Sequence, residues 1–203
     1  MLDDRSRIIL LKIAHFYDLR KVGHVGALGF RRSTDLARLV SCFDELISRE
    51  ILIPHKTLFL DMGCADGRVN VLFSALAKKS IGIELDEWTL EEYLPLRQQL
   101  EETLREEHVS LPVNNIMLFN GDAMDESLYE RITNQTGVSF DQFDLFYTYL
   151  TMQDEFAALI SKRAKKGSVF MVYGLEKVLP KFDGLRLLTP QPLAGILALY
   201  QKQ

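Results

Sequence analysis

The chain has 203 residues, of which 47% are hydrophobic and 26% charged, and a net charge of −4. Those values exclude wholesale disorder, a collagen-like repeat and a coiled-coil rod, and the mild acidity gives no global pull toward nucleic acid or an anionic membrane. A single domain over 1–203 is expected, and Cys42 and Cys64 are too few for a disulfide framework and suit a reducing, cytoplasmic setting.

Asp3 and Asp4 speak against a signal or transit peptide, and the apolar run from Ile8 to Tyr17 carries Lys12 and is too short to span a bilayer. No membrane partner is expected. Ile8, Leu11, Ile13, Ala14 and Tyr17 recur at helical spacing and predict an amphipathic helix over 4–20. Leu36, Leu39, Val40, Phe43, Leu46 and Ile47 predict a second over 34–49, with Ser33 as its N-cap. Between them, Lys21 to Arg32 holds Gly23, Gly26 and Gly29 followed by Phe30-Arg31-Arg32, and reads as a mobile basic loop able to act as a lid.

From residue 57 the pattern alternates. Short apolar runs at 57–61, 81–84, 115–119, 143–149, 168–173, 185–188 and 196–201 predict seven strands. Helices are expected at 69–78, from Asp86 through Leu104 with a kink or restart at Pro95, at about 125–133 and at 153–165. This is an α/β chain with a Rossmann-like, doubly wound, mostly parallel seven-stranded sheet, its last two strands forming an antiparallel hairpin. Residues 1–55 form an N-terminal helical extension with the Gly/Arg loop, and residues 56–203 form the sheet core.

In such a sheet ligands sit at the carboxyl ends of the strands. The first strand is followed there by Asp61-Met62-Gly63-Cys64-Ala65-Asp66-Gly67-Arg68. A dinucleotide fingerprint would need glycine at positions 65 and 68, so a pyrophosphate is not expected. Asp-x-Gly-x-x-x-Gly, with Glu84 ending the next strand, suits a nucleoside without phosphates. Gly63 admits close backbone approach, and Glu84 can accept both ribose hydroxyl protons.

These residues resemble the class I S-adenosylmethionine-dependent methyltransferases. Asp61, Gly63 and Gly67 match the family's first motif and Glu84 its ribose-binding acid. Asn120-Gly121-Asp122-Ala123 resembles the adenine-binding segment, with Leu85 against the adenine face. The resemblance implies S-adenosyl-L-methionine as cofactor, bound through Asp61, Gly63, Cys64, Gly67, Glu84, Leu85, Asp122 and Ala123. The Asp61–Arg68 run and Asp144-Leu-Phe-Tyr-Thr-Tyr-Leu150 are most similar to the small protein lysine methyltransferases of the telomeric-silencing type. That implies methyl transfer to a nitrogen nucleophile such as a protein lysine, with Tyr149 and Tyr147 as catalytic channel residues and Asp144 among the substrate-facing positions. An RNA or small-molecule acceptor, or a non-catalytic cofactor-binding module, are the alternatives.

Plainer roles compete at several positions. Cys64 at a helix N-terminus invites a nucleophile reading, but its backbone is the expected contact. Trp88 is expected to anchor its helix to the core. His15, His24, His55 and His108 lack metal-ligand spacing, so no metal is expected. Lys162 to Lys166 suits a helix C-terminus.

Overall fold

The computed structural model describes residues 1–26, 29–31, 33–110 and 114–203, with the backbone alone described for residues 23–26 and 29–31. Helix α1 (Asp4–Asp18) starts where the Asp3 carboxylate accepts the Ser6 amide at 2.8 Å, and it buries Leu10, Ile13, Ala14, Phe16 and Tyr17. Each such side chain removed from water contributes up to about 1.5–3 kcal/mol. The expected loop over 21–32 is instead paired backbone in its described part, with β1 (Val22–Gly26) antiparallel to β2 (Gly29–Arg31). The side chains of Phe30 and Arg31, and residue Arg32, lie outside the described residues.

The expected helix over 34–49 divides at Ser41 and Cys42 into α2 (Leu36–Val40) and α3 (Phe43–Ser48). Its N-cap is Asp35 and not Ser33. The Asp35 carboxylate accepts the Arg38 amide at 2.8 Å, and Asp18 takes the remaining orphan amides of Leu36 and Ala37 at 2.9 and 3.0 Å.

Next in chain order come β3 (Leu58–Met62), α4 (Arg68–Ser74), β4 (Lys79–Glu84), α5 (Glu87–Glu91), α6 (Tyr93–Glu106), β5 (Ile116–Asn120), α7 (Glu126–Thr136), β6 (Leu145–Tyr149), α8 (Gln153–Arg163), β7 (Val169–Tyr173), β8 (Leu185–Leu187) and β9 (Leu197–Lys202). Pro95 resolves as a restart. It lies in the first turn of α6, where a missing amide leaves no bond unmade.

Seven of these strands form one sheet in the order β5-β4-β3-β6-β7-β9-β8, parallel except for β9, which runs antiparallel to both β7 and β8. Successive residues face opposite layers. Phe59, Leu145, Tyr147, Met171 and Tyr173 pack with α1–α4 and α6, while Leu60, Phe146, Phe170 and Val172 pack with α7 and α8. Phe59 and Phe73 stack at 4.0 Å beneath the first of these layers. The order reverses between β3 and β6, so the crevice of the sheet opens at their carboxyl ends.

At the opposite, amino-terminal edge, Asp144 accepts the Leu58 amide at 2.7 Å and also pairs with Lys165. That corrects the expectation for Asp144. The residue opens β6 at the end remote from the crevice and ties β3 to β6.

Candidate functional site

The chain leaves β3 at Met62 and crosses to α4 through a turn that needs left-handed backbone at three positions: Gly63 (φ +98°), Ala65 (φ +50°) and Gly67 (φ +74°). The Gly63 and Cys64 amides both donate to the Ile83 carbonyl, at 2.9 and 2.8 Å, and the Gly67 amide donates to the Cys64 carbonyl at 2.8 Å. Gly67 is required twice over, because a Cβ there would lie 2.7 Å from Leu118 Cδ1 and 2.9 Å from Tyr93 Cδ2. At Gly63 the reason is different. A Cβ would meet nothing within 4 Å, so the left-handed backbone alone, and not crowding, calls for glycine, and the space in front of it is open.

Glu84, almost buried, braces this turn. One carboxylate oxygen accepts the Ala65 amide and the other the Asp86 amide, each at 2.9 Å. Gly121, which follows β5, donates its amide to the Glu84 carbonyl at 2.9 Å and thereby brings Asp122 and Ala123 alongside. Asp122 caps the Met124 amide at 2.8 Å, and the Tyr129 hydroxyl donates to the Ala123 carbonyl at 2.6 Å.

These pieces wall one cleft of about 620 Å³ at the carboxyl edge. Gly63, Ala65 and Glu84 to Asp86 line it together with Gly121 to Ala123, Thr148 to Met152 and Phe156. Among the described lining residues the charged ones are Glu84, Asp86 and Asp122. Six of the expected positions are placed as follows: Gly63, Glu84, Leu85, Asp122, Ala123 and Tyr149 line the cleft.

Asp61, Cys64, Gly67 and Tyr147 do not. Asp61 is 1% exposed beneath the turn, and among the described residues neither of its carboxylate oxygens has a hydrogen-bond partner. Burial, with Glu84 and Asp66 nearby, pushes its pKa well above the ordinary carboxylate value. Burial also pushes the Cys64 thiol well up, which removes the nucleophile reading. Tyr147 is 2% exposed on the α1–α4 side of the sheet, its hydroxyl 2.6 Å from Thr34 Oγ1. Trp88, expected as an anchor, is 76% exposed. Among the described residues no cluster of His, Cys, Asp and Glu is placed to hold a metal ion, and no described helix is long and apolar enough to cross a membrane.

Three features lie outside the sequence reading. Asp66 and Arg68 form a buried ion pair, with Nη2 to Oδ2 at 2.8 Å and Nε to Oδ1 at 3.0 Å, directly behind the glycine turn. The Asp-Gly-Arg run was its only local signal. Thr148 donates to the Met62 carbonyl at 3.1 Å and shares its proton with the Thr151 carbonyl at 3.2 Å, joining β6 to the start of the turn. Beyond it, Leu150 (φ +49°) and Met152 (φ +48°) hold left-handed backbone without being glycine.

No protein-family model matches the sequence, and no curated protein matches it either. Solved structures share its fold. The rRNA methyltransferase aviRa from Streptomyces viridochromogenes superposes with a TM-score of 0.58 at 13% identity, covering 100% of this chain and 94% of that one. A putative methyltransferase, yhhF, from Escherichia coli gives 0.53 at 18% identity over 85% and 88% of the two chains. An RNA methyltransferase from Salinibacter ruber, solved with S-adenosyl-L-homocysteine, gives 0.51 at 13% identity over 85% and 93%. The fold is therefore the Rossmann-like fold of these methyltransferases.

Proposed function

We propose that this chain is an S-adenosylmethionine-dependent methyltransferase. The observation that carries the reading is convergence. Gly63, Glu84 and Asp122, from three separate strand ends, meet on a single cleft at the point where strand order reverses. The donor set fits the cofactor. A carboxylate has about four acceptor sites, and Glu84, which lines the cleft, is the acid that would receive the ribose hydroxyls. The space before Gly63 admits a ligand against the backbone, exposed Leu85 offers an apolar face, and Asp122 adds a carboxylate able to accept from an exocyclic amine.

The cofactor, when bound, supplies a methyl group activated on a sulfonium. The chain's task is then positioning and exclusion of water. Thr148 to Met152 and Phe156 form an apolar, aromatic acceptor wall, with Tyr149 half-buried at its base to orient the incoming nucleophile.

For the acceptor we favour RNA over a protein lysine. The lysine-methyltransferase likeness of the Asp61–Arg68 run finds no support in the three solved structures described above, two of which are named for RNA. The described cleft lining holds carboxylates and no cation, so contacts to phosphates fall to the N-terminal extension, where Arg20, Lys21, Arg31, Arg32 and Arg38 face one acid, Asp35, in sequence.

The test is calorimetric titration with S-adenosylhomocysteine, followed by labelled-methyl transfer into total RNA and into total protein, counted separately. Binding with label in RNA supports the reading. Label in protein moves the acceptor to the second class, and absence of binding removes the enzyme.

A further inference from the structure

Neither Tyr147 nor Arg68 lines the cleft, yet both side chains contact the chain that enters and leaves the β1–β2 pair. At the entry, Arg68 Nη2 lies 3.5 Å from the Arg20 carbonyl while its other contacts lock it onto Asp66. At the exit, Thr34 Oγ1 shares a hydrogen bond with the Tyr147 hydroxyl, and the Tyr173 hydroxyl donates to the Asp35 carbonyl at 3.3 Å. Tyr173 in turn packs its ring 5.4 Å from that of Tyr149, which lines the cleft. Strand β1 packs on α5, the helix that directly follows the cleft residues Leu85 and Asp86.

We propose that Tyr147 and Arg68 are positioning residues that clamp the two roots of the hairpin and so fix it beside the cleft as part of the acceptor site; this rests on the methyltransferase reading. An isolated two-stranded hairpin is marginal in water, so its placement depends on what its roots are bonded to. Tyr147 is enclosed, and losing Thr34 would leave its hydroxyl buried without a partner, which obliges residues 33–35 to lie where they do. At the other root Arg68, its guanidinium held on Asp66 of the glycine turn, presents Nη2 to the Arg20 carbonyl. Cofactor half and hairpin therefore share one buried ion pair.

The experiment compares wild type with Tyr147→Phe, Thr34→Val and Thr34→Ser. It reads hydrogen exchange at the amides of β1 and β2, calorimetric affinity for S-adenosylhomocysteine, and labelled-methyl incorporation into total RNA as a function of RNA concentration. Tyr147→Phe and Thr34→Val are each expected to speed hairpin exchange about tenfold and to raise the RNA concentration for half-maximal rate about tenfold. Affinity for S-adenosylhomocysteine should stay within about twofold. Thr34→Ser, which keeps the hydroxyl, should behave as wild type, and it carries the comparison if Tyr147→Phe fails to fold. Unchanged exchange, or faster exchange with unchanged RNA dependence, overturns the clamp. A wild-type protein that neither binds S-adenosylhomocysteine nor transfers methyl overturns the methyltransferase reading first, and the clamp with it.

Discussion

The two sides of the cleft are built from different materials. The side formed by the ends of β3, β4 and β5 is backbone geometry. Glycines and one alanine hold left-handed conformations, amides point at fixed carbonyls, and Glu84 braces two of them. The side formed by the end of β6 is side-chain surface, with Tyr149, Leu150 and Met152 backed by tyrosines bonded to the N-terminal extension. Backbone geometry demands particular residue types at particular spacings, while a packed apolar wall accepts many. One side thus states its ligand in the sequence, and the other leaves its ligand to be inferred from what surrounds it.

That contrast can be broken at several points. Glu84→Ala removes the charged acceptor from the first side and frees two turn amides, and affinity for S-adenosylhomocysteine should fall by about 100-fold in calorimetry. An unchanged affinity would place the ligand elsewhere. Gly67→Ala should cost about 2–3 kcal/mol in denaturant unfolding, because the added Cβ meets Leu118 and Tyr93 in a backbone conformation that alanine resists.

Asp61 tests the electrostatics of the same side through pH. Its native pKa lies above the ordinary 3.8, so the folded state keeps a proton that the unfolded state releases. Wild-type stability should therefore decline as pH climbs from about 4 through the native pKa, and Asp61→Asn should flatten that decline in thermal melts at successive pH values. The smallest effect is a gain. Ala65 holds φ +50°, and Ala65→Gly should raise stability by up to about 1 kcal/mol while leaving ligand affinity unchanged.

The sequence disclosed the sheet well, since alternating short apolar runs separated by helical periods leave little choice of architecture. It pointed to Gly63, Glu84 and Asp122, which line the cleft, and to Gly67, which shapes the turn behind it. What stayed hidden depended on distant partners. Tyr147 and Tyr149 share a face by the two-residue period of a strand, so sequence treats them alike. Thr34, 113 residues away, covers the deeper one and leaves the other at the cleft. Strands β1 and β2 escaped because Gly23, Gly26 and Gly29 interrupt any alternating apolar pattern. Trp88 looked like an anchor because exposure is decided by neighbours and not by residue type.

Asp144, remote from the cleft, has a bearing on how the β6 side of the cleft changes over evolutionary time. It pins the start of β6 to Leu58, and Thr148 fastens the other end to Met62, so β6 is a strut of fixed length between two anchorages. An insertion or deletion of one residue within it would exchange its two faces, sending Tyr149 inward to the opposite layer and Thr148 to the tyrosine side. Lineages descending from this chain can therefore reshape this side of the cleft by swapping side chains along β6, or by lengthening the loop after it, but not by altering the number of residues between the anchorages.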